Sequence, residues 1–191
     1  MQTEFKSWDD LAQSVHAWSL ANFGSQKGLG CIAPLIGVIE EIEEYCRGVA
    51  IEEKEDAIGD ICIFLLDYCK RSGVDLTSIP VEFDQKTFAI GFWSGRLCHV
   101  RLKRIQGIRG MENIESFREA ELEAVAGILR SCDGLSWWSL GGDGAFATAC
   151  KTWNDVVAKR KWHTQPDKPI TFESACEDFK NAASELNWGL S

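Results

Sequence analysis

Apolar residues recur along this chain at intervals of three and four, and the strict alternation that marks strands is rare. Proline occurs only at Pro34, Pro80, Pro166 and Pro169, so few positions forbid a helix interior. The pattern predicts an all-α chain with helices near 7–23, 33–47, 52–72, 85–106, 115–132, 144–162 and 171–186. Breaks fall where glycine and proline gather: GSQKGLG (24–30), GVDLTSIP (73–80), GIRG (107–110), SLGGDG (139–144) and TQPDKP (164–169). The chain divides into a first unit, 1–80, a second, 81–165, and a tail, 166–191, in which Phe172, Cys176, Phe179 and Leu186 outline an amphipathic docking helix.

Two of these helices carry unusual acidity. In PLIGVIEEIEEYCRG (34–48), Glu40, Glu41, Glu43 and Glu44 fall within five residues. At about 100° per residue Glu40, Glu41 and Glu44 share one arc, with Leu35, Val38, Ile42 and Tyr45 roughly opposite. Alone, that describes an ordinary surface helix with a charged outer face. The stretch DAIGDICIFLLDY (56–68) shifts the balance, because Asp56, Asp60 and Asp67 form a narrow stripe on a helix that is otherwise apolar almost all round. Such a helix is normally buried, and a buried carboxylate must be paired, hydrogen-bonded or metal-bound. After Asp56 that helix carries no base until Lys70 and Arg71. A divalent cation shared with Glu41 and Glu44 satisfies the stripe; so does an ion pair with a distant base such as Arg101. The cation is the favoured reading. Oxygen-only ligation selects Mg²⁺ or Mn²⁺ over zinc, and Mg²⁺ held by carboxylates keeps positions open for water and phosphate.

A fainter echo follows. FAIGFWSGRLC (88–98) aligns with PLIGVIEEIEE (34–44), and EAVAGI (123–128) with DAIGDI (56–61). Glu40, Glu41 and Glu44 become Ser94, Gly95 and Cys98, and Asp60 becomes Gly127, while Asp56 keeps an acid in Glu123. Either a helical unit has been duplicated and one copy has lost its carboxylates, or two amphipathic helices are alike by chance.

Composition changes this picture little. A length of 191 residues allows one domain or two small ones, and a net charge of −9 opposes general affinity for nucleic acid. The apolar run Ile61–Leu66 is far too short to span a membrane, and MQTEFKSWDD lacks the features of a signal peptide. Eight cysteines are scattered without a CxxC pair, and His16, His99 and His163 are isolated, so the thiols read as reduced residues of a cytoplasmic protein.

GVIEEIEE followed by DAIGDICIFLLDY resembles the MazG-like nucleoside triphosphate pyrophosphohydrolases of the all-α NTP pyrophosphatase superfamily. Their signature is EExxE on one helix and ExxD on the next. Glu40, Glu41 and Glu44 match the first part and Asp60 the end of the second, but the preceding acid position holds Ala57, with Asp56 one residue earlier. DAIGD, WSLANFG (18–24), LKRIQGIRG (102–110) and TWNDVVAKRKW (152–162) resemble phage-type members. The resemblance implies a MazG-like helical bundle, here a tandem pseudo-dimer with a degenerate second repeat. It also implies Mg²⁺-dependent hydrolysis of a (deoxy)nucleoside triphosphate to monophosphate and pyrophosphate, and assembly as a homodimer or within one chain.

On that reading Glu41, Glu44 and Asp60 are the first-choice metal ligands and Asp56 the next. Glu40 and Glu41 are the catalytic candidates, with Glu40 either ligating or orienting and deprotonating water. Lys103 and Arg109 are candidate triphosphate contacts, and Trp18 and Asn22 candidate borders of a base pocket. Lys159–Lys161 reads as surface charge, although Arg160 and Trp162 match the closing motif. Trp137 and Trp138 are left between a flap and end-packing. The alternatives are a non-catalytic nucleotide- or metal-binding regulator on the same scaffold and a purely structural helical module.

Overall fold

The computed structural model describes residues 3–24, 30–85 and 87–160. Among the described residues six α-helices follow one another, α1 Trp8–Phe23, α2 Ile32–Arg47, α3 Ile51–Ser72, α4 Ile90–Gln106, α5 Ile114–Leu140 and α6 Gly144–Asp155, and a 3₁₀ turn, Val157–Lys159, comes after them. Among the described residues there is no strand, and no helix is long and apolar enough to cross a membrane. The expected tail helix 171–186 lies outside the described residues.

α3 is the axis of the bundle. Ile58, Ile61, Cys62, Leu65, Leu66, Tyr68 and Cys69 are each fully buried, which explains its nearly uniform apolarity. Each such aliphatic side chain contributes about 1.5–3 kcal/mol on burial. Its ends are fixed locally: Glu53 accepts the amides of Val49 and Ala50 at 2.8 and 3.0 Å, and Gly73 closes the last turn in the left-handed conformation. α2 packs most extensively on α3, and α1, α5 and α6 pack around the rest. α4 lies against α5 and touches α2. The main core runs from Trp8 to Val157 and draws on both halves of the chain.

Gly37 sets the closeness of α2 and α3. A Cβ there would stand 2.6 Å from the Phe64 ring, so only glycine lets the two acid-bearing helices approach this tightly.

Three helix limits differ from those expected. α4 begins at Ile90 because Thr87 Oγ1 accepts the Ala89 amide at 3.2 Å, a local bond that competes with helix. α5 continues to Leu140, since Cys132, Asp133 and Ser136 are buried and packing overrides the local signal. There Asp133 Oδ1 accepts the Ala145 amide at 3.0 Å, capping the start of α6 from a neighbouring helix. α6 stops at Asp155, after which buried Val157 turns the chain toward α1 and Trp18 Nε1 donates to the Arg160 carbonyl at 3.1 Å.

Arg101 does not pair with the aspartate stripe. It ion-pairs with fully buried Glu121 at 2.9 Å and donates through Nε to the Tyr68 hydroxyl at 2.6 Å, while Arg118 holds the other Glu121 oxygen at 2.8 Å. This network joins α3, α4 and α5.

Candidate functional site

α1, α2, α3 and the chain after α6 line an open cavity of about 260 Å³. Its walls are apolar and aromatic, with Val15, Trp18 and Phe23 from α1, Pro34 from α2, and Ile63 and Phe64 from α3. Trp18 is fixed by edge-to-face contacts with Phe23 and Trp153, at centroid distances of 5.6 and 6.3 Å, besides its bond to the Arg160 carbonyl.

The polar groups of the cavity sit at two ends. Glu41 and Asp60 form the first. Glu41 is only 9 % exposed, and burial, with repulsion from Asp60, Glu44, Glu40 and Asp56 added, pushes its carboxyl up to about 8. Burial and the nearby Asp56 carboxylate push Asp60 up to about 6, against the opposing pull of the Arg160 guanidinium. Neither Glu41 nor Asp60 makes a hydrogen bond or ion pair among the described residues. Glu40, Glu44 and Asp56 are exposed around them. The five acids named from sequence thus come within electrostatic reach of one another, although among the described residues no three His, Cys, Asp or Glu side chains are arranged to hold an ion together.

Ser19 and Asp67 form the second end. Asp67 Oδ2 accepts Ser19 Oγ–H and Arg71 Nε–H, both at 2.8 Å, and Oδ1 lies 2.9 Å from His16 Nδ1. Arg71 also donates to Ser19 Oγ at 2.8 Å. The third aspartate of the stripe is therefore the ion-paired one, and its partner is four residues along its own helix. Because α3 rises about 1.5 Å per residue, Asp60 and Asp67 stand about 10 Å apart along its axis on nearly the same face.

Ala57 is 2 % exposed and packs in the core, so the departure from the family-like acid leaves Asp56 as the neighbouring carboxylate, on the solvent side. Trp18 lines the cavity; Asn22 does not, and its amide donates back to the Trp18 carbonyl at 2.9 Å. Lys103 and Arg109 are not brought to the cavity. Lys103 bonds Gln106 at 2.7 Å, and Arg109 is exposed beyond the end of α4. Arg160, expected to be surface charge, is the base at the cavity. Only the motif TWNDVVAKRKW pointed toward it. Ser19 and Phe23 lie in the family-like WSLANFG and Phe64 in DAIGDICIFLLDY, but none is singled out until α1 and α3 are packed together. Trp137 and Trp138 stay largely exposed and do not seal the bundle, although Trp138 meets Phe88 edge to face at 6.0 Å. The seven described cysteines are free thiols, as expected.

Comparisons with protein-family models, with curated proteins and with solved structures return no match for this chain.

Proposed function

We propose that the chain is a MazG-like nucleoside triphosphate pyrophosphohydrolase that cleaves a (deoxy)nucleoside triphosphate to monophosphate and pyrophosphate. The observation that carries this reading is the pair Glu41, buried, and Asp60, partly buried, neither held in a hydrogen bond or ion pair among the described residues, at one end of an aromatic-walled cavity. Carboxylates kept in such a position are costly to ionise, and a cation-dependent site is a physical reason to keep them.

A hard divalent cation fits this donor set by chemistry, since the groups within mutual reach are all carboxylate oxygens. Glu41, Glu44, Asp56 and Asp60 would hold Mg²⁺ or Mn²⁺, which when bound offsets phosphate charge and lowers the pKa of an attacking water. Glu40, exposed beside them, takes the proton of that water or orients it. Arg160 lies where a phosphate oxygen would be neutralised, and Trp18 and Phe64 offer stacking faces to a base. Closing the base in an apolar cleft excludes water from that part of the substrate.

The packing of the second half supports the pseudo-dimer interpretation. α2 with α3 and α4 with α5 are two packed helix pairs, the elements a duplicated unit requires. Where the first pair has Asp60, the second has Gly127, and Trp93 packs directly on it, so an aromatic ring fills the space a carboxylate would need. Ser94, aligned with Glu40, is buried.

Incubation with a panel of canonical and modified (d)NTPs, with and without Mg²⁺, tests the reading. Metal-dependent pyrophosphate release that disappears in Asp60→Asn and Glu44→Gln is expected; activity surviving both changes contradicts the site assignment. A second reading, nucleotide binding without turnover, is favoured by Ala57, which sits buried where the family-like motif has an acid, and by the carboxylates missing from the second copy. Tight binding with no turnover across several divalent metals would establish it.

A further inference from the structure

The inner end of the cavity has a donor–acceptor character of its own. At Ser19 and Asp67 every hydroxyl and guanidinium hydrogen that the structure directs there is already committed. Ser19 Oγ–H goes to Asp67 Oδ2, Arg71 Nε–H goes to the same oxygen, and a second Arg71 nitrogen donates to Ser19 Oγ. Arg71 and His16 reach these groups from behind, and neither lines the cavity. A carboxylate has about four acceptor positions and a hydroxyl oxygen two. With His16 at Oδ1, one acceptor position remains on that oxygen and one on Ser19 Oγ. Both residues are nearly buried, at 4 % and 6 % exposure, and both line the cavity. The end wall therefore presents acceptors without donors. Arg71 offsets the Asp67 charge, so the wall is not simply a cation site.

The opposite end is acidic, and about 10 Å of helix axis separates Asp60 from Asp67. A nucleotide spans such a length with its phosphates at one end and its base edge at the other. Phe64 lies between Asp60 and Asp67 on α3, and Trp18 shares the cavity wall.

We propose, resting on the reading that this cavity takes a nucleotide, that Ser19 and Asp67 select bases bearing an exocyclic amino group, cytosine and adenine, over uracil and hypoxanthine. The two hydrogens of one amino group match the two open acceptor positions. A keto oxygen at the same place sets lone pairs against the lone pairs of two nearly buried acceptors, a mismatch that costs binding. Ser19 and Asp67 are specificity-determining residues, separate from the carboxylates assigned to hydrolysis.

The test compares near-isosteric pairs that differ at that substituent and in the proton on the adjacent ring nitrogen. Titration calorimetry with dCMP against dUMP, and dAMP against dIMP, reads binding without metal or turnover. The ratio of kcat/KM for dCTP over dUTP, and dATP over dITP, reads it in the reaction. The amino member is expected to win each pair by at least about 10²-fold, and sites built to hydrogen-bond a substrate N–H reach about 10⁴–10⁵. Ser19→Ala removes one acceptor and should cut that preference about tenfold while both substrates are still hydrolysed. Asp67→Asn turns an NH₂ toward the base and should move preference toward the keto member; if it fails to fold without its Arg71 partner, Ser19→Ala decides. Equal affinities within each pair, or keto preference in the wild type, overturn this proposal and leave the pyrophosphohydrolase reading standing. No binding of any monophosphate together with no pyrophosphate from any triphosphate overturns both.

Discussion

Replacing Glu41 by glutamine separates what this residue costs the fold from what it contributes to the site. Glu41 ionises near 4.5 when exposed and near 8 in the folded chain. A protonated Glu41 is therefore favoured in the fold, and stability is complete below 4.5 and lost as pH rises toward 8. At about 1.4 kcal/mol per pH unit, the loss by pH 7 is about 3 kcal/mol if the shift is taken whole, and about 2 kcal/mol after allowing for partial solvent access. Asp60, displaced in the same direction from 3.8 to about 6, adds to the decline between those values. Glutamine keeps the shape and cannot ionise, so Glu41→Gln should melt about 4–8 °C above the wild type at pH 7 in EDTA, and near the wild type at pH 4.5. Mg²⁺ should then raise the melting temperature of the wild type and much less that of the variant, because a ligand that binds only the folded chain stabilises it. The variant should also lose metal-dependent pyrophosphate release. Scanning calorimetry at the two pH values, with EDTA and with Mg²⁺, measures all of this. Identical pH dependence in the two proteins would refute the claim that burial and neighbouring carboxylates oppose ionisation of Glu41.

Other substitutions probe the surroundings. Glu121→Ala leaves Arg101 without its buried counter-ion and should cost about 3–5 kcal/mol in urea unfolding, whereas loss of under about 1 kcal/mol would mean the network is not buried as described. Gly37→Ala drives a methyl into the Phe64 ring, 2.6 Å away, and should cost about 1–3 kcal/mol while weakening nucleotide binding, because Phe64 also walls the cavity. Arg160→Ala should raise KM for a triphosphate about tenfold and leave the melting temperature within about 2 °C, since the side chain is exposed and helps through charge at Asp60. In contrast, Lys103→Ala and Arg109→Ala should leave KM unchanged, as neither side chain reaches the cavity.

The helical class was legible because apolar spacing and glycine breaks dominate the chain, and α3 announced its burial by being apolar on nearly every side. Helix ends were less legible where tertiary contacts decide them: Asp133 caps α6 from α5, and Val157 turns the chain away from the expected continuation to 162. Glu41 and Asp60 could be nominated together because a helical wheel places each on its own helix, but their shared burial follows from Gly37, which no wheel reveals. The stripe Asp56–Asp60–Asp67 looked uniform and is not. Asp56 is exposed, Asp60 lacks a partner among the described residues, and Asp67 is held by His16, Ser19 and Arg71. Lys103 drew attention through the family-like LKRIQGIRG, yet on α4 Arg101 serves the Glu121 network and Arg104 the turn after the helix, donating to the Met111 and Glu112 carbonyls at 2.9 and 2.8 Å. Arg160, marked in the sequence only by the closing motif, gained a place at the site when the end of the described chain was laid against Asp60 and Trp18.

The central claim is that the carboxylates around Glu41 and Asp60 serve hydrolysis of a nucleoside triphosphate. Following the wild type and Asp60→Asn by phosphorus NMR, in dCTP and dATP with Mg²⁺ and again with EDTA, tests it most directly. The account predicts equimolar monophosphate and pyrophosphate from the wild type only when Mg²⁺ is present, and unchanged triphosphate with Asp60→Asn. Unchanged triphosphate with folded wild type, or identical turnover in both proteins, would contradict it.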